Sequence, residues 1–280
     1  MANCQHLNDY NVNKKLQNKQ DMEGQVFYNN HNEKGIVVNY IDAHHIVIKT
    51  DYDYEVIVSK QSLIIGEWKT PWTPTMCNRG YIGIGNYSPT QGYNSKHHSI
   101  FTPQYDTWGH MFCRCYSQKY LSKRPTYKGC EVCEEWYNFQ NFGLWYDDNY
   151  WECGNESMRL DKDFLIKNNH IYAPDRCMFV PNAINVMLTS CKTVRGDLPI
   201  GVTWTKQGRK HYRVRVSAYN TQNKRLDLGT YATPEEAFQV YKKYKEQEIK
   251  RVADLYKSKY PQFPQKLYDA MYSYEVEITD

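Results

Sequence analysis

Long apolar runs are missing from this sequence. No stretch approaches the ~20 residues that a helix needs to cross a bilayer, so a membrane-spanning helical protein is excluded. Residues 1–20 are polar and rich in Asn and lack the apolar core of a secretory signal, so the protein is expected to stay in the cytoplasm where it is made. There is no internal repeat. A large net charge is missing as well: 35 Lys and Arg against 31 Asp and Glu leave +4. An anionic partner therefore has to be argued from where the charges sit, not from their sum.

What is present is a globular composition, with 41% hydrophobic and 24% charged residues in 280, which gives room for two or three compact units. Aromatics reach 15%, and 26 residues are Tyr. Tyrosine can bury its ring, keep its hydroxyl wet and stack on bases, although an AT-rich gene also supplies Tyr, Asn, Lys and Ile. Nine cysteines without a signal read as free thiols or metal ligands, not as a disulfide framework.

Residues 1–22 read as a disordered polar arm. Residues 23–68 carry short β-branched runs at 25–27, 35–40, 45–49 and 54–58 between turn-rich pieces, which predicts a small, strongly bent β-barrel. Its mixed charges leave DNA and protein partners equally open. Residues 69–103, rich in Gly, Pro, Ser and Thr, read as a connector. In 104–150 two aromatic stripes predict two helices: Tyr105, Trp108, Met111, Phe112 and Cys115, then Trp136, Phe139, Phe142 and Trp145. Residues 156–190 read as two strands and a short helix entered through Pro181, a ββα unit. Cys130 and Cys133 have zinc-like spacing but no second C-x2-C partner, so small buried thiols are the preferred reading and structural Zn2+ the alternative.

The last unit, 197–258, has three strands, at 200–205, 211–218 and 225–228. A helix follows, capped by Thr233 with Pro234 at its first position and Glu236 three residues after the cap. Lys206, Arg209, Lys210, Arg213, Arg215, Lys224 and Arg225 lie between residues 199 and 229, where Asp227 is the single acid. Arg213 and Arg215 alternate with Val214 and Val216, so one sheet face is basic and the other apolar. A basic ribbon of this kind fits the major groove or straddles phosphates, whereas a solvated strand face usually mixes signs.

Gly201-Val202-Thr203-Trp204, Tyr212-Arg213-Val214-Arg215-Val216, Leu228-Gly229-Thr230-Tyr231 and Thr233-Pro234-Glu235-Glu236-Ala237 resemble the apetala/ethylene-response-factor DNA-binding domain over about 55 residues. That resemblance implies a three-stranded sheet packed on one helix and reading double-stranded DNA. Arg213, Arg215 and Arg225 would make contacts to bases and phosphates, with Trp204 on the first strand and Arg209 and Lys210 at phosphates from the hairpin turn.

Leu160-Asp161-Lys162-Asp163, Asn168-Asn169 and Phe179-Val180-Pro181-Asn182-Ala183-Ile184-Asn185 resemble the phage homing-endonuclease version of the HNH, or His-Me finger, nuclease. Residues 105–108, 114–116, 125–127, 130–136 and 138–142 look like the block that precedes it. The resemblance implies one Mg2+ or Mn2+ ion held by Asp161 and Asn185 in an HNH-like domain at 104–192. It puts Lys162 where the family has its general-base His. A lysine must lose its proton to act as a base, so the alternatives are His170 or His110 as base, Lys162 as a phosphate-orienting group, or a dead site.

The expected fold class is α+β and multi-domain: a barrel, a helical and ββα core, a three-stranded sheet on one helix, and a tail at 259–280. The expected function is a phage-type, metal-dependent DNA endonuclease or nickase in the host cytoplasm. The alternative is a catalytically degenerate DNA-binding protein acting as a regulator or as an inhibitor of host defence. A third reading is an interaction protein of the phage particle or of host takeover, with a host or phage protein partner.

Overall fold

The computed structural model describes residues 22–188, 196–206, 211–217, 219 and 225–278. The expected N-terminal arm, Arg209, Lys210 and Lys224 lie outside them. The chain is mixed α and β, with seven α-helices among the described residues, and forms two compact units, Met1–Trp145 and Tyr146–Asp280. Among the described residues, no helix is long and apolar enough to cross a membrane.

The first unit opens with β1 (Val26–Tyr28), β2 (Lys34–Asp42), β3 (His45–Thr50) and β4 (Glu55–Val58), an antiparallel sheet in the order β1-β2-β3-β4. It is open: β1 pairs with β2 and β4 with β3, and the ends do not meet, which corrects the expected barrel. Two register shifts bend β2, but β1 is three residues long and β4 four, too short to wrap round to each other. The concave face is closed by other means. Helix α1 (Lys60–Ile65), capped by Ser59, supplies Leu63, and Trp68 packs on Gly35, where an added Cβ would lie 3.1 Å from the indole. Met22, Phe27, Val37, Ile46, Ile48 and Val58 complete this core.

Residues 69–103 are anchored, not free-running. The buried Asn29 accepts from the backbone N–H groups of His31 and Glu33 and donates to the Trp68 carbonyl. Glu33 in turn accepts from the hydroxyls of Thr70 and Thr73. Further on, Gln140 holds the carbonyls of Ile82 and Tyr87, and the chain forms a hairpin of β5 (Thr90–Tyr93) and β6 (Ser99–Phe101).

Helix α2 (Pro103–Tyr116) starts at the Thr102 cap and buries Trp108, Met111, Phe112 and Cys115, the stripe that its spacing predicts. The Trp108 indole donates to the Trp136 carbonyl at 2.7 Å, which satisfies a polar group in an otherwise apolar centre. Gly80 is required there: a Cβ would lie 2.6 Å from Trp108. Helix α3 (Gln118–Lys123), two short 3-10 turns, β7 (Glu131–Val132) and helix α4 (Phe139–Asn149) follow, and the chain passes into the second unit within α4.

The second unit holds β8 (Met158–Asp161), β9 (Ile171–Tyr172), β10 (Met178–Pro181) and helix α5 (Asn182–Leu188). Strands β8 and β10 pair antiparallel, from Asp161 opposite Met178 to Met158 opposite Pro181, so the predicted ββα arrangement is present. Then come β11 (Val202–Trp204), β12 (Tyr212–Ser217) and β13 (Arg225–Tyr231), an antiparallel sheet in that order, and helix α6 (Pro234–Lys259), which packs against all three strands.

Thr233 caps α6 by accepting from the Glu236 N–H. The helix buries Ala237, Phe238, Tyr241, Ile249, Val252, Ala253 and Tyr256. Glu248 is buried among them because Arg251 donates to both its oxygens at 2.8 Å and the Tyr219 N–H donates at 2.9 Å. The segment expected as a tail contains a further helix, α7 (Gln265–Tyr272), which packs on α6 and buries Leu267 and Met271.

At the start of β11, Gly201 has φ +77, and a Cβ there would sit 2.0 Å from the Tyr241 ring. Gly201→Ala is expected to cost roughly 2 kcal/mol or more in urea unfolding, because strain and overpacking combine. Gly196→Ala, at φ +68 with nothing within 4 Å, is expected to cost only about 1 kcal/mol.

Candidate nucleic-acid interface and nuclease-like loop

The pairing of β12 decides which way its cations point. Val202 lies opposite Val214, and both are buried under α6 together with Val216. Arg213 and Arg215 alternate with these valines and so project from the other face. Across the ladder, Arg213 faces Thr203 and Thr230, Arg215 faces Asp227, and Ser217 faces Arg225. The open face therefore carries Arg213, Arg215 and Arg225 with Asp227 among them, and Arg215 and Arg225 are exposed.

Asp227 engages one of these arginines. Arg213 Nε donates to Asp227 Oδ2 at 2.6 Å, and Nη2 donates to the same oxygen. The Gly229 N–H donates to Oδ1 at 3.0 Å. The Arg213 guanidinium, helped by the Gly229 N–H, holds the Asp227 carboxyl below the usual carboxylate range. This pair was missed at the sequence level. The signal available was that Asp227 is the one acid of a basic stretch.

Trp204 sits elsewhere. It pairs with Tyr212, so by alternation it belongs to the valine face, beyond the reach of its packed centre; it is 55% exposed and stacks on His211 at 5.0 Å. Lys206 is exposed just past the end of β11.

In the ββα unit, Asp161 ends β8. Its Oδ1 accepts from the backbone N–H groups of Asp163 and Phe164, both at 2.8 Å, which folds the chain into a turn. Burial pushes the Asp161 carboxyl up, opposed by those two N–H groups.

Lys162 is 6% exposed and points into the loop that follows. Its ammonium donates to both oxygens of Asp163 at 2.7 Å and to the Asn169 carbonyl at 2.5 Å. Asn169, also buried, donates back to the Lys162 and Ile171 carbonyls and accepts from the Ile171 N–H. The loop between β8 and β9 is thus closed by a reciprocal Lys–Asn clamp. All three donor directions of the ammonium are engaged within the loop.

His170 is exposed beside this clamp, and Asn185 is half-buried on α5. His110 is in the first unit, on an exposed part of α2, with Nδ1 3.3 Å from Asp106. Asp161 and Asn185 would offer hard oxygen ligands, the donor type that Mg2+ and Mn2+ take. Among the described residues, no group of three or more His, Cys, Asp or Glu side chains could hold a metal ion. Cys130 is buried and Cys133 half-buried, and burial pushes the Cys133 thiol up.

The clamp sets an expectation for Lys162→Met. It should lower the unfolding free energy by roughly 1–3 kcal/mol, because the Asn169 carbonyl loses a buried partner, while affinity for duplex DNA stays as it was. A fluorescence-monitored urea titration and a DNA titration of the same variant check both halves.

No protein-family model, curated protein or solved structure matches this chain.

Proposed function

We propose that this protein binds double-stranded DNA through the open face of the β11–β13 sheet, and that its ββα unit is a nuclease-like element without a working general base. The observation that carries the first part is the division of β12: its valines are fixed against α6, so Arg213 and Arg215 are held outward with Arg225 on one twisted ribbon. A ribbon of cations on a rigid backing suits phosphates flanking a groove and base edges within it. Arg215 and Arg225 would make the first contacts. Arg213 is shared with Asp227 and can swing to DNA only by giving up that pair.

The engaged state of Lys162 supports the second part. Where the resembling nucleases have a His that takes a proton from water, this chain has an ammonium tied to Asp163 and Asn169. A DNA-binding regulator, or an inhibitor of a host defence system, fits such a chain. The nuclease reading stays as the second one, favoured by the half-buried Asp161 carboxyl at the end of β8. There Asp161 and Asn185 would hold a divalent ion, which supplies charge neutralisation at a scissile phosphate, and His170 would serve as the base.

Two expectations separate these parts. Replacing Arg213 and Arg215 together by Gln should weaken duplex binding and lower the log–log salt slope by about 2, while Asp227→Asn, which frees Arg213, should strengthen binding. Unchanged anisotropy titrations in both variants would refute the sheet reading. Incubation of the native chain with supercoiled DNA and Mg2+ or Mn2+ should leave the DNA intact. Nicking that disappears in Asp161→Ala while binding persists would instead establish the nuclease.

A further inference from the structure

A second run of like charge lies in the first unit, far from the sheet in sequence. Between Asp106 and Glu131 there is no acidic residue, and Arg114, Lys119, Lys123, Arg124 and Lys128 fall within that interval. The end of α2, helix α3 and the 3-10 turn Pro125–Tyr127 carry these residues in succession. Lys119, Lys123, Arg124 and Lys128 are all exposed, and none of these four takes part in an ion pair among the described residues. Lys119 and Lys123 stand one turn apart on the same six-residue helix, a like-charge spacing that weakens a helix. An ordinary solvated surface interleaves the two signs.

The ground beneath these charges is ordered. Arg114 lies over the Tyr127 ring at 6.0 Å, and Tyr120 packs edge-on to Tyr127 at 5.7 Å. Arg79, from the turn between Met76 and Gly80, covers Tyr116 at 4.6 Å and reaches the Tyr137 hydroxyl at 3.4 Å. The Tyr116 hydroxyl accepts from the Val132 N–H at 2.9 Å. Because these rings are half-buried and their faces taken by guanidinium groups and by each other, they offer no free platform for stacking unpaired bases. What the surface presents is a set of ammonium and guanidinium groups on short, well-anchored elements, with one exposed carboxylate, Glu131, close to Arg79.

We infer that this surface of the first unit, Lys119, Lys123, Arg124 and Lys128 with Arg79 beside them, is a phosphate-backbone contact for duplex DNA. The contact is independent of sequence, since a lysine ammonium is a point charge that suits phosphate and not a pattern of base edges. The inference extends the DNA reading but uses no residue of the sheet.

The test is an anisotropy titration of the full chain against a random-sequence DNA duplex over a range of salt. Replacing Lys119, Lys123, Arg124 and Lys128 together by Gln should reduce the log–log salt slope by about 3–4 and weaken binding roughly tenfold or more. In the native protein, duplex DNA should protect Lys119, Lys123 and Lys128 from an amine-reactive label, a readout that needs no variant to fold. A quadruple variant with the native unfolding midpoint and an unchanged slope would overturn the inference, and so would labelling unaffected by DNA. So would a loss confined to vesicles of phosphatidylserine and phosphatidylcholine, which would identify a lipid surface instead. If the sheet variant binds like the native chain while the quadruple variant does not, the sheet reading fails and this one stands. If the quadruple variant binds like the native chain while the sheet variant does not, the reverse holds.

Discussion

The seating of three valines under helix α6 is the constraint on which the functional reading depends. Val202, Val214 and Val216 are each at most 3% exposed. Because side chains alternate along a strand, burying Val214 and Val216 leaves Arg213 and Arg215 no other side to occupy. A slip of one residue in register would bury two guanidinium groups and expose the valines, a change that costs far more than any contact it could form. The hydrophobic effect thus fixes the position of the charges. The bulge between Val214 and Arg215, where Leu228 is the extra residue, adds twist, the shape that a ribbon needs to follow a groove.

Helix α6 does more than back the sheet. Its first half buries Ala237, Phe238 and Tyr241, the last against Gly201 at the start of β11, and farther along Tyr256 donates to the Glu156 carboxylate and meets the Tyr219 hydroxyl at 2.7 Å. Phe263, just beyond the helix, packs edge-on to Trp151 at 5.5 Å. One 26-residue helix therefore serves as a common support for the basic sheet and for the segment that leads into the ββα hairpin. The same unit settles its loop at Lys162 by ionic and backbone contacts. A residue so placed stabilises a turn.

Much of this was legible in the residues. The alternation in β12, the Thr233 cap with Pro234 after it, the aromatic stripe of α2 and the ββα order all follow from period, capping and turn chemistry, which act locally. What was not legible depended on partners distant in sequence. An open sheet and a barrel share the same strand signals; Trp68 and α1, arriving after the strands, close the concave face instead. Helix α7 was read as a tail because its apolar residues, Leu267 and Met271, make sense only against α6. Glu248 lies buried among the apolar residues of α6 because Arg251 and the Tyr219 N–H meet it, and neither partner follows from helical period. At the candidate sites, alternation with the buried valines puts Arg213 and Arg215 on the opposite face of the sheet. The Arg213–Asp227 pair and the Lys162–Asn169 clamp required a register and a loop conformation that spacing does not encode.

The central claim is that DNA meets the face opposite the valines. Backbone amide NMR of the full chain during titration with duplex DNA tests it directly, because the signals of β12 and β13 report on that surface without any mutation. The account predicts salt-sensitive shifts at Arg213, Arg215 and Arg225 and their cross-strand neighbours Thr203 and Thr230. Saturating DNA that leaves these five amides unmoved would contradict it.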